Sequence, residues 1–127
     1  MKSRLSLLLL VLTSFTSAAL NKSDQRWIDA VSETYGERAA KRVTTWRSNI
    51  AAYGGLSERE KLESINQFFN QMYFVDDSIL WGKNDYWATP LEFLGSNAGD
   101  CEDFTIAKYF SLLELGVPDK KLSLIHI

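Results

Sequence analysis

The stretch Gly99-Asp100-Cys101-Glu102-Asp103 constrains this chain more than any other. Asp100 is a good helix N-cap, Asp103 three residues on can reach back toward it, and Phe104, Ala107 and Phe110 carry an apolar face onward. The lone cysteine therefore falls in a first helical turn. Unpaired amides and the positive end of the helix dipole favour a thiolate there, the nucleophilic form of cysteine. The flanking acids pull the other way, because three carboxylates oppose a further negative charge on the sulfur. A bound cation would remove that conflict. Taken alone, the pentapeptide fits an ordinary acidic helix start around a small buried thiol equally well.

The 127 residues leave room for one domain. Residues 1–19 read as an export signal, with Lys2 and Arg4 at the charged start, an apolar run from Leu5 to Leu12, and Ser17-Ala18-Ala19 as a small-residue cleavage site. The apolar run is short of the roughly 20 residues that span a bilayer, and an uncleaved anchor is the alternative. With such a signal the protein is expected in the periplasm. Cleavage takes two basic residues with it and moves the formal charge from −2 to −4. Lysines and arginines form no tract and do not interleave with aromatics, which argues against a nucleic-acid partner. One cysteine cannot close an internal disulfide, and an idle exposed thiol is a liability in an oxidising compartment. Either the thiol is used or it is buried.

Along the mature chain, Gln25 to Tyr35 reads as a helix with Ile28, Val31 and Tyr35 on one side, ended by Gly36. Glu37 to Tyr53 is a clearer helix, with Ala40, Val43, Trp46, Ile50 and Tyr53 in three- and four-residue steps. The pattern Ser57-Glu58-Arg59-Glu60 opens a third, whose buried stripe is Leu62, Ile65, Phe69 and Met72. Periodicity then disappears from Phe74 to Ala98, although Phe74, Trp81, Tyr86, Trp87 and Phe93 crowd this segment. A loop this long and this aromatic is expected to be ordered and packed beside the cysteine, with a helical turn starting at Pro90. The cysteine helix runs to about Leu115, is expected to bury Ile106, Ala107, Phe110 and Leu113, and stops at Gly116.

The run from Leu80 to Leu94, with Trp81, Asp85-Tyr86-Trp87 and Thr89-Pro90-Leu91-Glu92-Phe93, followed by Gly99 to Phe104 and Ala107-Lys108-Tyr109-Phe110, resembles the bacterial transglutaminase-like cysteine proteinases, the family of the LapG-type periplasmic proteases. The resemblance implies an α+β, papain-like or transglutaminase-like fold, of which this chain holds mainly the helical N-terminal half, over residues 20–121. It further implies that Cys101 is the nucleophile of a calcium-dependent endopeptidase, and that Asp100, Glu102 and Asp103 are the acids tied to calcium. Such proteases cut large cell-surface adhesins to release biofilm cells, and an inner-membrane receptor for cyclic di-GMP can sequester them. Hard carboxylate oxygens suit calcium, and neither a second cysteine nor a nearby histidine offers a zinc site. Calcium is then expected to neutralise the acids, fix the helix start and let the thiol ionise. Trp81 and Trp87 are candidates for an indole donor to the oxyanion, or for walls of the cleft and core.

A cysteine protease also needs a base and a group to orient it. The only histidine is His126, with no acid after it. Residues 122–127, Leu122-Ser123-Leu124-Ile125-His126-Ile127, read as translated sequencing adapter rather than protein, with an apolar strand start as the alternative. The catalytic histidine and aspartate are therefore expected beyond this chain, which as it stands would be inactive and would expose apolar surface. Two other activities suit the residues: a transglutaminase-fold enzyme acting on glutamine side chains, and a non-catalytic calcium-binding or docking module.

Overall fold

Reciprocal capping decides where the first helix begins. Asn21 Oδ1 accepts from the Asp24 amide at 2.8 Å, and Asp24 Oδ2 accepts from the Asn21 amide at 3.1 Å. Helix α1 therefore spans Lys22–Tyr35, three residues longer than the apolar spacing suggests. The structure, a computed structural model, describes residues 20–123. The signal expected over residues 1–19, and His126 in the terminal hexapeptide, lie outside the described residues.

Helix α2 (Glu37–Tyr53) follows after Gly36, whose φ of 89° lies in the left-handed region that favours glycine. Helix α3 (Glu58–Phe69) opens on the expected box, with Ser57 Oγ accepting from Glu60 and Glu60 Oε2 accepting from Ser57. Its buried face is Ile65, Phe68 and Phe69, while Leu62 is exposed, a correction to the expected stripe. A two-residue strand β1 (Tyr73–Phe74), helices α4 (Asp77–Leu80) and α5 (Pro90–Ser96), and a second short strand β2 (Ala98–Gly99) occupy the aperiodic stretch. Strands of two residues leave no alternation to read. They pair in parallel, Tyr73 with Ala98 and Phe74 with Gly99. Helix α6 (Cys101–Glu114) comes directly after β2, and a 3-10 turn, Asp119–Lys121, follows it.

The core is aromatic. Phe69 and Phe93, both fully buried, stack with centroids 5.9 Å apart, and Phe104 meets Phe93 edge-on at 4.7 Å. Ala39, Val43, Ile65 and Leu94 close around them. Helix α6 turns Ala107, Ser111 and Leu112 inward, and Ser111 Oγ accepts from Trp46 Nε1 at 2.9 Å. Phe110 is 53 % exposed and lies with Leu113 in an apolar groove beside Trp27 and Trp46, contrary to the expected burial. With apolar side chains on every side of α6, the polar Ser111 bond selects the inward face. Leu122 packs against the core as well. Among the described residues, no helix is long and apolar enough to cross a membrane.

Candidate active site

Cys101 is the first residue of α6 and is exposed. Asp100 caps the helix in extended conformation, and its amide donates to Asp103 Oδ2 at 3.1 Å. The arm of Asp103 back to the cap thus fixes the turn on which the sulfur sits, and first-turn amides without helical partners surround it. Thr105 Oγ1 donates to the Cys101 carbonyl at 2.7 Å.

Behind the cysteine, acids converge. Asp103 is 1 % exposed, and its Oδ1 accepts from the Ala88 amide at 2.8 Å. Asp77, from the start of α4, is 4 % exposed, and its Oδ2 accepts from the Tyr86 amide at 2.5 Å. Oxygens of Asp77, Asp100 and Asp103 lie within 4.8 Å of one another. Two of the oxygens, Asp77 Oδ1 and Asp100 Oδ1, are buried with no hydrogen-bond partner among the described residues. Buried acceptors left so carry a desolvation penalty of about 1–3 kcal/mol each, more when charged.

The grouping differs from the acids that the sequence suggests. Asp100 and Asp103 belong to it, and Glu102 does not: its side chain hydrogen-bonds Asp100 from outside the cluster. Asp77 takes the third place. The sequence signal for it was slight, an acid pair Asp76-Asp77 opening a four-residue helix inside the aromatic loop. Trp81 holds a buried indole N–H with no partner among the described residues, and its ring meets Tyr86 at 4.8 Å. Trp87 is 54 % exposed, with its indole N–H donating to Asp85 Oδ1 at 3.1 Å.

Without a cation this cluster is strained electrostatically. Burial, then the hydrogen bond with Glu102, then the charges of Asp103, Glu102 and Asp77 push the Asp100 carboxyl up to about 7. Burial raises Asp103 too, against the pull of its bonds from Ala88 and Asp100. An acid raised in the fold binds more protons there than in the unfolded chain. Stability therefore falls as pH rises from about 4 to about 7 and stays low above that. In calcium-free buffer, thermal melts should show a higher Tm near pH 5 than near pH 8, with the difference reduced in Asp100→Asn. An equal Tm at the two pH values would contradict the strain.

No histidine is present among the described residues, so they hold an exposed thiol and an acid cluster but no imidazole. An exposed cysteine at a helix start, reached through a short strand and backed by buried carboxylates, suits the cysteine-bearing half of a transglutaminase-like fold. Comparison with known proteins agrees. The family model of the bacterial transglutaminase-like cysteine proteinases matches residues 21–127, and the chain belongs to that family. Among solved structures, LapG of Legionella pneumophila is 36% identical, with a TM-score of 0.64 over 76% of this chain and 53% of that one. Its calcium-bound form is 37% identical, with a TM-score of 0.63 over the same shares. An EGTA-treated form gives 36% identity and a TM-score of 0.64 over 76% of this chain and 52% of that one. The chain thus spans about half the length of these structures. No curated protein matches.

Proposed function

We propose that the chain carries the nucleophile and cation site of a calcium-dependent cysteine endopeptidase, exported to the periplasm, that cuts a large cell-surface adhesin and so controls biofilm attachment. The observation that carries this reading is Cys101, exposed at the first residue of α6, with Asp77, Asp100 and Asp103 converging behind it. Family membership and the likeness to LapG support a peptidase. An inner-membrane receptor for cyclic di-GMP is the partner proposed to sequester it.

The residues fit calcium. Two buried carboxylate oxygens have no hydrogen-bond partner among the described residues, and the donor set is all hard oxygen. The relative LapG is known in a calcium-bound form. Asp77, Asp100 and Asp103 would hold the ion, whose charge would offset the carboxylates around the helix start. For hydrolysis, Cys101 Sγ attacks the scissile carbonyl carbon, the amine leaves with a proton, and water cleaves the resulting thioester. The Cys101 amide, with no helical partner, is placed to donate to the oxyanion. Trp81, whose buried indole N–H has no partner among the described residues, is the second candidate donor, and Trp87 a wall of the cleft. The proposed mechanism would take its base from outside residues 20–123.

The full-length protein should cleave the N-terminal region of a surface adhesin in calcium, and Cys101→Ala or EGTA should abolish cleavage. Calcium at about 100 times its Kd should stabilise the fold by about 2.7 kcal/mol, a gain lost in Asp77→Asn. Incorporation of a labelled amine into glutamine side chains without cleavage would replace this reading with crosslinking chemistry. Calcium binding with neither activity would leave a binding module.

A further inference from the structure

Among the described residues, three buried side-chain atoms lack a hydrogen-bond partner: Asp77 Oδ1, Asp100 Oδ1 and Trp81 Nε1. Buried polar groups in folded proteins are paired with few exceptions, so orphans gathered in one corner point to something that all of them meet. Helix α4 brings Trp81 into that corner. Its amide donates to the Asp77 carbonyl at 2.8 Å, and residues four apart on a helix lie on one face. The Trp81 ring also meets the Tyr86 ring at 4.8 Å, and the Tyr86 amide donates to Asp77 Oδ2. Asp77 and the Trp81 indole are thus joined from two sides, through the helical turn and through Tyr86. Tyr86 is itself fixed at its far end, where its hydroxyl donates to Glu92 Oε2 and Lys83 Nζ lies 4.5 Å from the ring centroid.

The orphans are of two kinds. A cation satisfies carboxylate oxygens, but an N–H presents positive charge and cannot face a cation directly. Water reconciles them, because its oxygen can bind an ion and accept from an N–H together. The cluster needs such oxygens. Asp77 Oδ2 and both oxygens of Asp103 already accept amide hydrogens, whereas calcium takes about 6–8 oxygen ligands. We propose that Trp81 is a positioning residue of the cation site, its indole N–H donating to a water bound to the ion that Asp77, Asp100 and Asp103 hold. This rests on the reading of the cluster as a cation site. Hydrogen-bond partners just beyond the direct ligands orient a metal site, and losing one weakens metal binding by about 10–100-fold.

Calcium calorimetry on the 127-residue chain and its Trp81→Phe variant, which keeps an aromatic ring and loses the N–H, tests this. The variant should bind calcium about 10–100-fold more weakly, while Trp27→Phe, on α1, should bind as wild type does. A donor that serves only the oxyanion is idle until substrate is bound, so its removal leaves calcium affinity unchanged. In the wild-type chain, the indole N–H resonance of Trp81, assigned through its contacts with the Tyr86 ring, should move downfield on calcium saturation. That readout stands even where Trp81→Phe fails to fold. An affinity in a folded Trp81→Phe within twofold of wild type, or an indole resonance that calcium leaves in place, overturns the role of Trp81 alone. Failure of the wild-type chain to bind calcium overturns the cation site and the role of Trp81 with it.

Discussion

Arg47→Ala is expected to remove about 3–5 kcal/mol of stability, a large share of the 5–15 kcal/mol typical of a domain. The side chain is 5 % exposed and bonded through each of its three guanidinium nitrogens. Nε donates to Asp24 Oδ1 at 2.7 Å, Nη1 donates to Glu114 Oε2 at 2.8 Å, and Nη2 pairs with Glu114 Oε1. Its flat face meets two indoles, 5.1 Å from the Trp27 centroid and 4.8 Å from that of Trp46. One side chain thereby joins α1, α2 and α6. Truncation strands the buried Asp24 carboxylate, which also caps α1 through its other oxygen. Lysine would be a poor substitute, because a point charge on a flexible stem cannot make the bidentate pair with Glu114. Chemical denaturation checks the size of the loss. If the double variant Asp24→Asn/Arg47→Ala is no more stable than the sum of the single losses predicts, the stranded charge is not the cause.

Gly99→Ala should cost about 1–3 kcal/mol through overpacking and should also weaken calcium binding. A Cβ at Gly99 would stand 2.7 Å from Asp103 Cβ, 2.8 Å from Asp103 Oδ2 and 2.9 Å from Phe93 Cδ2. Neither neighbour can retreat. Phe93 is fully buried in the aromatic core, and Asp103 is held by the Ala88 and Asp100 amides. Gly95→Ala is the natural control, since its Cβ would approach the Tyr35 ring at 2.5 Å. Tyr35 is 37 % exposed and can swing outward, so Gly95→Ala should be the milder change and should leave calcium affinity alone. Calcium calorimetry and melting of the two variants separate packing from site damage. Equal affinity in Gly99→Ala and wild type would show that Asp103 is not pinned.

What the sequence reveals and hides follows the range of the interactions. Caps are local, so Ser57 with Glu60 and Asp100 with Asp103 are legible, and with them the place of Cys101 on its helix. The burial of Val43, Trp46 and Ile50 follows from a helix with polar residues on its other side. Helix α6 lacks that contrast. Its inward face is chosen by Trp46 bonding Ser111 across 65 residues, which leaves Phe110 outside. Asp77 is hidden for the same reason: nothing near it in the chain shows that it meets Asp100 and Asp103. Trp81 and Trp87 look alike as letters, yet the Trp81 indole N–H is buried and Trp87 is 54 % exposed.

The parallel pairing of β1 with β2 brings the chain leading to Asp77 alongside the chain leading to Cys101, with residues 78–99 as the excursion between the acids. Drawing together the ends of a segment of about twenty residues forfeits roughly 3 kcal/mol of chain entropy. Helices α1 and α2 pack on each other without that closure, whereas the thiol's surroundings exist only after it. A divalent ion gripping an acid from either end would act as a clasp on the excursion, and would then assemble the surroundings of Cys101 as well as offset their charge.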